Sequence, residues 1–278
     1  MAKKDNLSER LSKIDNRVIF LLLAICLGLP LLIPIGLPLG ISTGTSSFYK
    51  YVEGLPSGSL VACVYEISAS VSPEVYPQAV AVTAHLKSRN LKIVALGFSV
   101  TGPMFADNAF RDVFGASREH ELYGRSFVNL GYIAGGEAAM KVFATNPRMV
   151  EKDFYGRDTK DMQIMQEVSS PKDFKLMIVY SGDWMEPYVR QFGDPHGVPI
   201  ASGVTSTIVP RIMAFYPAKI KGYLTGLRGA AEYELLVKRP GSALGGMDAQ
   251  SAAHLLIIGL VIAGNAGYLV GRFRRKEA

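Results

Sequence analysis

The sequence predicts an α/β fold: a doubly wound, mostly parallel sheet in a Rossmann-like three-layer sandwich, flanked by two transmembrane helices. Two observations support this prediction. A long apolar segment lies near each end of the 278-residue chain. Between them, short and nearly continuous apolar runs alternate with amphipathic stretches, a pattern typical of a parallel sheet that is covered by helices on both faces.

The first apolar segment, residues 18–41, contains no charged side chain. A run of this length is typical of a membrane-spanning helix, because a helix satisfies its own backbone hydrogen bonds in lipid. Pro30, Pro34 and Pro38 recur in its outer half, where each removes a backbone donor, so this half is either a kinked helix or partly extended. A cleaved signal peptide with its apolar core at 18–29 is the competing interpretation, but no small-x-small cleavage site follows promptly.

The excess positive charge of the chain lies beside the apolar segments. Residues 1–17 hold five Lys or Arg against three acids, and residues 272–278 hold four against one, so only +1 of the net +6 remains between them. A nucleic-acid-binding domain needs its basic groups on the folded part, so no nucleic-acid partner is predicted. The positive-inside rule instead predicts that both tails are cytoplasmic and that the central domain is extracytoplasmic.

The central domain is predicted over residues 59–237. A Gly-, Ser- and Thr-rich linker at 42–58 precedes it, and a Gly-rich linker at 238–251 follows. Six strands are expected, each followed by a helix: 60–67, 91–100, 126–132, 174–180, 198–204 and 220–224. A polar stretch at 146–173 interrupts the alternation and predicts an excursion or a flap.

Ligands of such sheets bind beyond the carboxyl ends of the strands, near the point where the strand order reverses. The polar and glycine residues that follow the strands are therefore candidate ligand-binding positions. The same residue types are also the ordinary caps and turns of strand-to-helix loops, so both interpretations stay open at each position. The candidates are Ser68, Ser70, Thr101, Gly136, Glu137, Ser181, Asp183, Thr205 and Ser206.

Sharper motifs of catalysis do not occur in the sequence. GxGxxG, GxxxxGK[ST], GxSxG and HExxH are all absent, which removes the usual dinucleotide, phosphate-loop, hydrolase-elbow and zinc-protease signatures. Asp183 beside Trp184 is a general-base hypothesis that rests on a single acid. The sequence predicts no catalytic residue, no cofactor and no metal site.

Three stretches carry a resemblance: SASVSPE at 68–74, YGRSFVNLGYIAGGEAAM at 123–140, and GYLTGLRGAAEYELLV at 222–237. With these, residues 55–237 resemble a group of uncharacterised prokaryotic membrane proteins that have a Rossmann-like extracytoplasmic domain between two spans. The resemblance implies this architecture and brings no activity or catalytic residue with it.

The second apolar segment, residues 252–271, is the second predicted span. Gly259, Ala263, Gly267 and Gly271 recur every four residues in it, and such small-residue spacing lets helix backbones approach closely in a bilayer. Glycine is also common in membrane helices, which is the alternative explanation. In the domain, Arg228 and Glu232 are four residues apart, and they either pair with each other or reach a neighbouring subunit.

Three functions follow from these observations, because fold alone does not give function. The favoured one is a structural or assembly component of a homo-oligomer or a larger membrane complex, supported by the small-residue spacing and the lack of catalytic motifs. The second is a solute-binding or sensing module at the carboxyl edge of the sheet. The third is an extracytoplasmic hydrolase with an unrecognised site.

Overall fold

The computed structural model describes residues 15–183 and 185–277, without the side chains of 267, 270 and 271–277. The chain divides into two units. We call Leu39–Ala243 the body, and we call Met1–Pro38 together with Leu244–Ala278 the flanking unit.

Six parallel strands form the sheet of the body, in the order β3-β2-β1-β4-β5-β6. This is the doubly wound order, in which the direction of winding reverses between β1 and β4. The predicted parallel α/β sheet is thus confirmed. The strands are β1 (Leu60–Glu66), β2 (Lys92–Gly97), β3 (Phe127–Tyr132), β4 (Phe174–Ser181), β5 (Ile200–Val204) and β6 (Ile220–Thr225).

Helices surround the sheet and flank it in sequence. They are α1 (Asn16–Leu32), α2 (Thr43–Glu53), α3 (Ser72–Ser88), α4 (Gly102–Phe114), α5 (Gly136–Thr145), α6 (Gln163–Gln166), α7 (Val209–Met213), α8 (Gly226–Leu236) and α9 (Ser242–Glu277). The helix predicted after the fourth strand is present over residues 186–196, as the consecutive α, π and α segments Glu186–Tyr188, Val189–Gly193 and Asp194–His196. Pro187 and Pro195 each lack a backbone donor, and Trp184 lies outside the described residues.

The central strands are buried on both faces, as the apolar runs require. Every residue of β1 before Glu66 is buried, and so is every residue of β4 except Lys175. Helix α3 packs against α4 and α8, whereas α5 packs against the helical segment at 186–193. Because crossovers between parallel strands are right-handed, these two groups of helices cover opposite faces of the sheet.

The first apolar segment is helical only as far as Leu32, although a span over 18–41 is predicted. Ile33 is already extended, with φ −134° and ψ 93°. The α conformation is disfavoured before proline, and Ile33 and Leu37 both precede one. The outer half of this segment is therefore irregular rather than a kinked helix: Ile33 is extended, whereas Gly36 is in the left-handed region at φ +72°.

Helix α2 occupies most of the segment predicted as a linker at 42–58. Ser42 is its N-cap residue, and its side chain accepts a hydrogen bond from Thr45 N. Phe48 and Val52, four residues apart, are fully buried. The helix packs on the edge strand β6, which otherwise has unpaired backbone groups on one side. The predicted linker thus belongs to the body.

Helix α9 begins at Ser242, inside the second predicted linker at 238–251. Within the flanking unit, the buried carboxylate of Asp248 accepts hydrogen bonds from Gly36 N at 2.8 Å and Leu37 N at 3.0 Å. These donors come from the proline-containing segment that cannot continue its helix. Among the described residues, one helical stretch, Ser242–Ala266, is long and apolar enough to cross a membrane, and α1 is a shorter apolar helix of 17 residues.

The contact between α2 and β6 depends on Gly222. A Cβ at this position would lie 2.2 Å from the backbone nitrogen of Phe48 and 2.4 Å from its Cα. We expect Gly222→Ala to push α2 off the sheet and to lower the free energy of unfolding by about 1–3 kcal/mol, as overpacking does. Chemical unfolding of the full-length protein in mild detergent, followed by circular dichroism, measures the change. Gly40→Ala is the matched control, since a Cβ there meets nothing within 4 Å; equal stability of both variants would contradict this packing.

Candidate functional site

The carboxyl ends of β1 and β4 border a cleft of about 530 Å³. The chain leaves these neighbouring strands in opposite directions, so the loops after them diverge and leave a crevice at the position where doubly wound sheets bind ligands. We call it the switch-point cleft. Five of the predicted ligand-binding residues line it: Ser68, Ser70, Glu137, Ser181 and Asp183.

The other four candidates do not line the cleft and have structural partners or positions. The Thr101 hydroxyl donates to Ile67 O at 2.8 Å, and Gly136 begins α5 in the left-handed conformation, at φ +56°. Thr205 Oγ1 lies 2.9 Å from Thr207 Oγ1, and Ser206 donates to Glu74 through its backbone and its hydroxyl. These contacts are typical of loop caps, and a ligand-binding role stays a prediction for all nine residues.

Glu66 also lines the cleft, and the sequence analysis missed it. It is the last residue of β1, and its Oε1 accepts hydrogen bonds from Phe98 N at 2.7 Å and from the Tyr188 hydroxyl at 3.0 Å. Burial raises the pKa of Glu66 above its usual value, and hydrogen bonds from Phe98, Tyr188 and Ser99 offset only part of this effect. The sequence signal that could have identified Glu66 is an acid at the end of an otherwise apolar strand.

Glu137 lies in the first turn of α5 and is paired. Its two carboxylate oxygens accept from Arg190 Nε at 2.7 Å and from a terminal guanidinium nitrogen at 2.8 Å, and Gln191 Nε2 donates at 2.8 Å. These hydrogen bonds, the one from Arg190 first, lower the pKa of Glu137 to about 2. The carboxylate is therefore charged at any physiological pH, and Arg190 balances its charge.

Hydroxyl groups make up much of the remaining polar lining. Ser68 Oγ and Ser70 Oγ lie 2.9 Å apart, and the buried Ser181 hydroxyl accepts from Asp183 N at 3.0 Å. Asp183 itself is exposed. All the carboxylates and hydroxyls can accept hydrogen bonds, and the hydroxyls can also donate. The described lining contains three acids and no Lys, Arg or His.

The predicted interface pair Arg228 and Glu232 is bonded within the chain. Arg228 Nε donates to Glu232 at 2.8 Å, and its guanidinium also reaches Gly40 O at 3.3 Å. Glu232 is only 1% exposed, and it accepts from Ser42 N at 2.9 Å and from the Ser42 hydroxyl at 2.7 Å. Pairing with each other, one of the two alternatives for these residues, is what the structure has; a subunit contact through Arg228 stays a prediction.

Of the four small residues that recur along α9, the structure describes the burial of two, Gly259 and Ala263. Gly259 is exposed, and a Cβ there would meet nothing within 4 Å, while Ala263 is half-buried. Gly267 and Gly271 lie outside the residues whose burial is described. Their role in a subunit contact stays a prediction.

Comparison with models of protein families, with curated proteins and with solved structures finds no match. The resemblance to two-span prokaryotic membrane proteins therefore stays a prediction. Within the described residues, no group of three or more His, Cys, Asp or Glu side chains is placed to hold a metal ion.

Because burial raises the pKa of Glu66, its ionised form lowers the free energy of unfolding at neutral pH. A carboxyl group whose pKa is raised by folding stabilises the native state below its unfolded pKa, and this contribution is lost as the pH rises through the folded value. We expect Glu66→Gln, which keeps an oxygen for Phe98 N and Tyr188, to unfold with a free energy equal to or above that of the wild type at pH 7. The difference should disappear near pH 4. Urea unfolding at both pH values tests this; a variant that is less stable at pH 7 and equally so at pH 4 would contradict the assignment.

Proposed function

We propose that this chain is a membrane-anchored domain that binds a small hydroxyl- or amine-bearing solute in the switch-point cleft. The observation that carries the proposal is the cleft itself: a crevice of about 530 Å³ between β1 and β4, lined by serine hydroxyls and by the half-buried carboxyl group of Glu66. Pockets for small molecules have this size and combine an apolar wall with a few polar groups. Met140, Pro187 and Tyr188 supply apolar surface here.

The charges of the lining support a neutral or cationic solute over an anionic one. The described lining contains no Lys, Arg or His. Arg190, which contacts the lining residue Glu137, already forms two hydrogen bonds with its carboxylate. Nucleotide sites of doubly wound folds bind phosphate at helix N-termini. In this chain, Glu74 and Glu137 lie in the first turns of α3 and α5, where their carboxylates oppose an anionic ligand.

Membrane anchoring with two spans and cytoplasmic tails is part of the proposal. The stretch Ser242–Ala266 has the length and apolar character of a span, and the basic residues of 1–17 and 272–278 favour cytoplasmic ends. Two neighbouring glutamates of α8 bind both linkers: Glu232 holds Ser42, and Glu234 accepts from Gly241 N and Ala243 N at 2.9 and 3.1 Å. The residues at both ends of the body are thus hydrogen-bonded to the same helix. This supports a body that is anchored at both ends, and we propose that it is extracytoplasmic.

A ligand screen on the full-length protein in mild detergent tests the binding function. We expect thermal stabilisation by polyols, sugars or small amines, because a ligand at 100 times its Kd adds about 2.7 kcal/mol to the stability. Combining Asp183→Asn with Glu66→Gln should weaken binding of the best ligand by about tenfold or more, since each removes a charged hydrogen-bonding group.

Asp161→Asn is the matched control, because Asp161 is an exposed acid that does not line the cleft. It should leave the affinity of that ligand unchanged. If no neutral or cationic solute stabilises the protein, the proposed function is wrong.

Assembly through α9 is the second candidate function, and the uncovered Gly259 favours it. Membrane helices associate by close packing rather than by hydrophobic burial, so we expect Gly259→Leu to shift the detergent-solubilised protein toward the monomer. Light scattering after size-exclusion chromatography measures the mass. Gly264→Leu is the matched control, because Gly264 also meets nothing within 4 Å but lies off the four-residue spacing. A wild-type monomer, or equal loss in both variants, would rule out this contact.

A further inference from the structure

A second concave surface lies at the amino edge of the sheet, near the starts of β1, β4 and β5. It is a groove of about 520 Å³, and three separate segments of the body line it. Tyr51, Leu55 and Pro56 come from the end of α2 and the loop after it. Lys172, Phe174 and Lys175 come from the start of β4, and His196 to Pro199 from the loop before β5. We call it the amino-edge groove.

Lys175 lines this groove from a β-bulge at the start of β4. It is the second residue of β4, a central strand, and it is the one exposed residue of that strand. Both faces of a central parallel strand are normally covered. The strand registers explain the exception: Leu60 pairs with Phe174 and Val61 with Leu176, so Lys175 is the extra residue of a β-bulge at the start of β4, where it lines the groove.

The ionisable lining is basic, apart from the phenol of Tyr51. Lys172 and Lys175 are exposed, His196 is half-buried, and none of the three side chains has a hydrogen-bond or ion-pair partner among the described residues. The acids next to them in sequence are engaged elsewhere. Asp173 accepts from the backbone nitrogens of Ser169 and Ser170 at 2.8 Å, and Asp194 forms an ion pair with Lys219.

The floor of the groove is apolar and aromatic. Phe174 and Leu55 are buried, and Tyr51 is half-buried. Basic side chains that line such a groove have unused donors, and phosphate oxygens are acceptors that match them. We propose that the amino-edge groove binds a phosphate group, through Lys172, Lys175 and His196, with the organic part of the ligand against Tyr51 and Phe174.

The phosphate group has two sources, a soluble phosphorylated compound and an anionic lipid headgroup, and one experiment separates them. The full-length protein is placed in nanodiscs of neutral phosphatidylcholine, and the acetylation rate of each lysine is read by mass spectrometry. We expect inorganic phosphate to slow labelling of Lys172 and Lys175 by at least about threefold if the source is soluble. Nanodiscs that contain phosphatidylglycerol should do so without added phosphate if the source is a lipid. Lysines outside the groove, Lys141 and Lys160, should not respond.

Substitutions give an independent readout. The double variant Lys172→Gln and Lys175→Gln should bind phosphate, or phosphatidylglycerol nanodiscs, at least about tenfold more weakly, because each charged hydrogen bond contributes about this factor. The control variant Lys141→Gln and Lys160→Gln removes the same charge from exposed positions outside the groove. Protection of neither groove lysine by either source, or an equal loss of affinity in both double variants, would overturn the proposal.

Discussion

Two buried carboxylates on one helix bind both ends of the body by hydrogen bonds. Glu232 and Glu234 of α8 are 1% and 4% exposed, and a buried charge without partners costs several kcal/mol. Their donors are therefore obligatory, and they come from the two ends of the body: Ser42, just before α2, and Gly241 with Ala243, at the start of α9. Entry and exit of the body are thus bound to the same helix, which itself packs on α3.

The two edges of the sheet carry opposite charge, although the net charge of the body is small. Acids line the switch-point cleft, and basic side chains line the amino-edge groove. The acids of the first turns of α3 and α5 stabilise those helices through the macrodipole, and they occupy the positions where a dinucleotide fold would bind phosphate. The missing glycine fingerprint and the acidic cleft both support the proposed neutral or cationic ligand over a nucleotide.

The fold was predictable wherever local sequence and burial agree. The strand β1 is a run of buried apolar residues, and the prolines after Leu32 explain why α1 ends there. Helix α2 was missed because its start, rich in Gly, Ser and Thr, favours a linker, whereas Phe48 and Val52 become informative only when β6 is beside them. Glu66 was missed because the candidates began after the strand, and the amino-edge groove joins three segments that no local pattern connects.

Glu66 and Glu232 are the same residue type in different electrostatic settings. Glu232 accepts from a guanidinium as well as from Ser42, so its charge is compensated within the chain. The hydrogen bonds of Glu66 come from neutral groups of Phe98 and Tyr188, and burial raises its pKa. A carboxylate held this way is stabilised by any amine or hydroxyl donor that enters the cleft. A ligand bound in the switch-point cleft would therefore provide stabilising hydrogen bonds that the Glu66 carboxylate does not receive from the chain.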